Sequence, residues 1–184
     1  MPQTMNLATV DDEYGVLNRT VIYRGLSNDN GIIYVTQRFT RNYKNLKANP
    51  KACFTFYWPK LMVPAEGAEP CVWQVRGLGA TATELAESEL DALWSEEVLA
   101  TRIRALVFPC GEPVEYEELK AKHDECLRQH LSSGRPLERP DTYTAFKFQP
   151  ERWDFLKAGV GAIADRVQYR RQDNGQWLAM HVAT

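Results

Sequence analysis

The chain has 184 residues, 44% hydrophobic and 25% charged, with a formal net charge of −2. That balance suits one domain with a self-sufficient core and carries no electrostatic footprint for nucleic acid. Four widely spaced cysteines (Cys53, Cys71, Cys110, Cys126) make no CxxC and no metal pattern, and Met1–Val10 has neither a basic leader nor a long apolar run. Free thiols in a reducing cytoplasm, no bound metal and no membrane span are therefore expected.

In chain order, Met5–Val10 and Val16–Leu26 flank a turn at Asp11–Gly15 and read as a β-hairpin. Within it lies Arg19-Thr20-Val21-Ile22-Tyr23-Arg24, a strand-like run with an arginine at each end. Side chains alternate along a strand, so Arg19 and Arg24 face opposite ways, and at least one must reach water, a carboxylate or an anion. Ser27–Gly31 is a second turn and Ile32–Thr36 a short strand. Thr40 is placed to cap a helix that Pro50 stops. Ala52–Trp58 reads as an aromatic strand, Pro59–Pro70 as a loop and Val72–Ala82 as a strand. Leu85, Leu90, Leu93 and Val98 recur at helical spacing in Glu84–Leu99, and Glu115–Leu131 reads as a second helix. Thr142–Gln149, Arg152–Leu156, Arg166–Arg171 and Trp177–Val182 return to strands, with Asp173-Asn174-Gly175 turning the last hairpin.

About eight strands in consecutive hairpins, with helices inserted over about 84–131, predict a mainly β fold. The expected form is a small antiparallel barrel of Greek-key-like order, one domain over 1–184. There is no βαβ rhythm and no GxGxxG, which argues against a Rossmann domain.

The order of short motifs is more informative than any one of them. Leu7-Ala8-Thr9-Val10 precedes Arg19–Arg24, then Tyr34-Val35-Thr36, then Thr40-Arg41 opening a helix and Leu46-x-x-Asn49-Pro50. Phe54-x-Phe56-Tyr57-Trp58 and Trp73-Gln74-Val75-Arg76-Gly77-x-Gly79 follow, and the chain closes with Trp153-Asp154-Phe155-Leu156, Asp165-Arg166 and Tyr169-x-Arg171. This series resembles the pyridoxamine 5′-phosphate oxidase-like family of FMN-binding split barrels. The resemblance implies a homodimer with FMN in a cleft at the subunit interface. It implies that Arg19, Thr20, Val21 and Ile22 run beside the cofactor and that Val35 and Thr36 follow on the next strand. Thr40 and Arg41 match the phosphate contacts, Gln74 a contact near the ring, and Arg166 a late cofactor contact. Charge supports this use: a phosphate monoester is well met by arginine forks and by a helix N-terminus.

The pattern also departs from the true oxidases, whose C-terminal Arg-x-His-Asp-Arg serves the vitamin substrate. This chain has Ala162-Ile163-Ala164-Asp165-Arg166, so the two substrate positions are alanine. Alanine can neither clamp a substrate nor exchange a proton. Leu156 replaces a tryptophan beside the flavin, Asn42 a lysine, and Arg24 a lysine at the strand's end. Arg19–Gly25, Trp94-Ser95-Glu96 and Phe108-Pro109-Cys110-Gly111 resemble a subgroup described as pyridoxamine phosphate oxidase-related, FMN-binding.

The resulting expectation is a cytoplasmic FMN-dependent oxidoreductase acting on an unknown small molecule, with Arg24 as the residue for an anionic substrate. No catalytic acid or base is named, and true pyridoxamine 5′-phosphate oxidase activity is not expected. The alternative is a non-catalytic carrier of FMN or a related phosphorylated ligand. Each residue also has a plainer reading: Arg19 and Arg24 as rim ion pairs, Arg41 on a solvated basic helix face, Gln74 as a cross-strand hydrogen bond, Arg166 as a structural pair with Asp165.

Overall fold

The computed structural model describes residues 3–61, 71–159 and 163–184. Their contacts fall into two compact units, Met1–Tyr34 with Asn45–Thr83 and Lys147–Thr184, and Val35–Lys44 with Glu84–Phe146.

The first unit begins with the hairpin of β1 (Thr4–Asp11) and β2 (Gly15–Ile22), in register from Thr4↔Ile22 to Asp11↔Gly15. Asp11 Oδ1 accepts from the backbone N–H of Glu13 and Tyr14, and Gly15 takes φ 73°, which glycine adopts without steric cost. Met5, Leu7, Thr9 and Asp11 alternate inward along β1. β2 ends at Ile22, four residues short of the expected Leu26. Its chain changes partner there: Tyr23 N–H bonds to Gln3, while Arg24 N–H bonds to Ile33, and Gly25 follows at φ 111°.

Beyond the hairpin come β4 (Lys51–Leu61), β5 (Cys71–Glu84), β7 (Arg152–Ala158), β8 (Asp165–Arg171) and β9 (Trp177–His181). With the hairpin they form the antiparallel order β2-β1-β4-β5-β7-β8-β9. Two further strands, β3 (Ile32–Gln37) and β6 (Tyr143–Gln149), pair with each other, giving nine strands among the described residues against the eight or so expected. The core of this unit holds Met5, Leu7, Phe54, Phe56 and Phe148. Gly77 is required here by packing: a Cβ would lie 2.1 Å from Phe54 Cζ, so the aromatic ring occupies the space a side chain would take.

Helix α1 (Arg41–Ala48) starts at Thr40, whose Oγ1 accepts from the Tyr43 N–H at 3.3 Å, as the capping reading predicts. In the second unit the single helix expected over Glu84–Leu99 is two. α2 (Glu87–Glu96) ends and α3 (Leu99–Val107) begins around Glu97, which is extended at φ −66°, ψ 136°. Glu97 is buried and accepts from the Tyr143 hydroxyl at 3.1 Å, while Trp94 Nε1 donates to the Leu137 carbonyl. These long-range ties fix the break. α4 (Tyr116–Ser133) follows and closes on Gly134 at φ 64°. Arg38 is a hub of this unit, meeting Glu84 at 3.2 Å and Glu87 at 2.7 Å, with Arg139 on the other oxygen of Glu87.

None of the four cysteines forms a disulfide. Among the described residues no His/Cys/Asp/Glu group could hold a metal ion, and no helix is long and apolar enough to cross a membrane.

Candidate functional site

Residues directly opposite each other in an antiparallel ladder share a face. The register therefore builds two rows on one face of the sheet in the first unit. Tyr57↔Gln74, Gln74↔Leu156 and Leu156↔Arg166 make one row across β4, β5, β7 and β8. One pleat further on the same face, Arg76↔Asp154 and Asp154↔Gln168 make a second.

Asp154 organises this face. It is only 1% exposed, yet its carboxylate is fully engaged. Arg166 forks onto it with Nε at 2.9 Å to Oδ1 and Nη2 at 2.6 Å to Oδ2. Arg76 Nη2 adds a bond at 2.7 Å and Gln168 Nε2 another at 3.0 Å, both to Oδ2. The Arg166 hydrogen bonds first, then those of Arg76 and Gln168, hold the carboxyl down to about 2 against the burial that would raise it. The same pairing raises the Arg166 guanidinium above its ordinary value. The plainer expectation for Arg166 is a structural pair with Asp165; its ion-pair partner is Asp154, and Asp165 faces His181 at 3.1 Å instead. The remaining Arg166 nitrogen, Nη1, has a 3.5 Å contact to the Ala183 carbonyl, so its donor capacity is largely unspent.

Arg19 lies on the other face, opposite Leu7 in the β1–β2 ladder, with Leu7 opposite Phe54 in the next. Its Nη1 donates to the Leu7 carbonyl at 3.1 Å and to Thr9 Oγ1 at 2.8 Å. Asn45 from α1 joins the group through Thr9 Oγ1 and Asp11 Oδ2. Burial pushes the Arg19 guanidinium below its ordinary value, partly offset by Tyr34 and Asp11. Thr20 alternates to the polar face, where its hydroxyl donates to Asn6 Oδ1 at 2.9 Å. Val21 and Ile22 are half-buried, and Arg24 stands past the strand's end.

The predicted phosphate contacts belong to the second unit. Thr36 and Thr40 share a hydrogen bond between hydroxyls at 2.9 Å, and Thr40 also donates to the Gln37 carbonyl. Val35 is half-buried beside Thr36, and Arg41 is exposed in the first turn of α1. A hydroxyl pair and a guanidinium at a helix start suit an anion.

Asp154 and Arg76 lie within the short motifs, but nothing local in the sequence marks their role. Their role needed the register, which places them opposite each other although they are far apart in the chain. Ala164 is described and precedes β8; Ala162, the other expected departure, lies outside the described residues.

The family profile for pyridoxamine 5′-phosphate oxidase matches residues 1–157. The chain belongs to the pyridoxamine 5′-phosphate oxidase family. It is similar to the pyridoxine/pyridoxamine 5′-phosphate oxidase of Rubrobacter xylanophilus, 30% identical over 175 residues that cover 95% of this chain and 74% of that protein. The enzyme of the same name from Alcanivorax borkumensis is 26% identical over 183 residues, covering 100% and 81%. Among solved structures, PhzG from Burkholderia lata, in complex with tetrahydrophenazine-1-carboxylic acid, superposes with a TM-score of 0.79 at 23% identity, covering 100% of this chain and 83% of PhzG. A pyridoxamine 5′-phosphate oxidase-related, FMN binding protein from Nostoc punctiforme gives 0.71 at 20% identity, covering 99% and 87%. The fold is the split barrel of that family, mainly antiparallel β with inserted helices.

Proposed function

We propose that this chain binds FMN at a site assembled from two copies of itself, and uses it in a cytosolic redox reaction on a small anionic molecule. The observation that carries the reading is the opposed facing of the matched residues. Arg19 shares a face with Leu7 and Phe54, whereas Gln74, Leu156 and Arg166 occupy the other side of the sheet. One cofactor touched by both sets draws them from two subunits, which supports a homodimer with the cofactor at the interface.

The residues present fit such a group. Leu156 supplies an apolar wall with a polar donor on either side of it in the row, Gln74 and Arg166. Arg166 is held in one direction by its fork onto Asp154 while Nη1 stays available. Thr36, Thr40 and Arg41 would hold the phosphate, with Arg19 as the further cation and Thr20, Val21, Ile22 and Val35 framing the cofactor. Bound FMN supplies reversible hydride or single-electron chemistry, so the protein need only bind, orient and tune. Arg24 would meet the substrate's anionic group. Ala164 removes the histidine position that serves the vitamin substrate in the true oxidases, so the substrate is not pyridoxamine 5′-phosphate. That same alanine favours the second reading, an FMN carrier without turnover.

The absorbance spectrum of the purified chain tests the proposal. The expected result is flavin bands, or their appearance on adding FMN, saturating at one FMN per chain. A colourless protein that leaves added FMN unbound after gel filtration contradicts it. Steady-state reoxidation of a reduced substrate separates the enzyme from the carrier.

A further inference from the structure

The face of the sheet opposite Gln74 and Arg166 carries a cavity whose lining residues the flavin reading leaves unused. It lies within the first unit and has a volume of about 730 Å³, in the range of small-molecule sites at roughly 300–1,000 Å³. Its walls are flat. Phe56 and Trp58 of β4 stack with ring centroids 5.5 Å apart and planes 2° from parallel. Trp153 and Phe155 of β7 stack at 6.1 Å and 27°. Tyr23 stands edge-on to Phe56 at 5.3 Å. Cross-strand register puts Phe56, Val75 and Phe155 in one row, so the floor is built on sheet rather than on loops. At the mouth, Tyr169 and Trp177 remain 39% and 43% exposed, apolar surface that a ligand would take out of water.

Two charged groups line the cavity, and they differ. Asp29 is neutralised where it stands: Lys147 Nζ lies at 2.7 Å, Gln149 Nε2 at 2.6 Å and Ser27 Oγ at 2.6 Å. Arg171, opposite Trp177 in the β8–β9 ladder, makes no side-chain ion pair among the described residues. The uncompensated charge of the cavity is therefore positive. A smaller hollow of about 310 Å³ shares Phe155 and Tyr169 with it and is also lined by Trp73, whose Nε1 is buried without a hydrogen-bond acceptor. A buried donor with no acceptor is costly until something supplies one.

We propose that this cleft is a second binding site, for a flat aromatic acid. The rings lie against Phe56, Trp58, Trp153 and Phe155, and the acid group pairs with the Arg171 fork. The site does not depend on the flavin reading, because none of the residues lining it is among those assigned to the flavin.

Calorimetric titration of the purified chain with 2-naphthoate, and with the neutral 2-naphthylmethanol, tests this. Naphthoate is expected to bind once per chain, about tenfold or more tighter than the alcohol, the size of one charge-assisted hydrogen bond. Arg171→Gln removes that preference, and because Arg171 is exposed the variant keeps the fold. Excess FMN leaves naphthoate affinity unchanged. No saturable binding, equal affinity for acid and alcohol, an unaffected Arg171→Gln variant, or displacement by FMN each overturns the proposal.

Discussion

On one side of β5, β7 and β8, Asp154 gathers Arg76, Arg166 and Gln168 into a closed cluster beside Gln74 and Leu156. On the other, Trp153 and Phe155 stack and Tyr169 stands edge-on to Phe155 around a cavity whose uncompensated cation, among the described residues, is Arg171. Successive residues of the same strands supply both faces. The first face spends its charges internally, so its arginines are fixed in direction before any ligand arrives. The second leaves apolar area and one charge facing water, so it gains most from a ligand. A strand period of two lets one short sequence, Trp153-Asp154-Phe155-Leu156, serve both ends.

The contrast breaks most visibly at Asp154. Asp154→Ala leaves Arg76 and Arg166 facing each other without their carboxylate, and should cost about 3–5 kcal/mol, the usual loss for removing one partner of a buried ion pair. Urea denaturation measures it. Arg171→Gln, on the aromatic face, should stay within about 0.5 kcal/mol of the wild type in the same assay. Next in size is Gly77→Ala, whose Cβ would press into the Phe54 ring; it should cost about 1–3 kcal/mol by the same measurement.

Acid should sharpen the same distinction. The Asp154 carboxyl is depressed to about 2 in the folded chain, against about 3.9 for an unperturbed aspartate. Its contribution is therefore fully present above pH ~4 and is lost as pH falls from about 4 toward 2. Stability measured across that window should decline in the wild type, and Asp154→Asn should remove this part of the decline. A smaller effect is expected at the α1 start. Arg41→Ala should weaken FMN binding by about tenfold, the value of one charge-assisted contact, without moving the melting temperature.

Local chemistry made much of the fold legible. Asp11 and Gly15 announce the first hairpin, Thr40 and Pro50 bracket α1, and Asn174-Gly175 marks the last turn. What sequence did not reveal was decided by distant partners. The α2–α3 break depends on Glu97 meeting Tyr143, which lies 46 residues away. β2 stops at Ile22 because the backbone of Arg24 finds Ile33. In the candidate site, Gln74 and Arg166 were readable as motif positions, but Asp154 as the group that holds Arg166 needed the ladder register.

An FMN site drawn from two copies of the chain is tested most directly by a mixing experiment. One variant carries Arg19→Ala and Arg41→Ala; the other carries Gln74→Ala and Leu156→Glu. Each alone should bind FMN poorly. Mixed and allowed to exchange subunits, random pairing makes half the dimers mixed, each with one intact site, so FMN bound per chain should recover to about a quarter of the wild-type value. A mixture that stays as empty as its components, while the wild type binds one FMN per chain, would contradict the shared site.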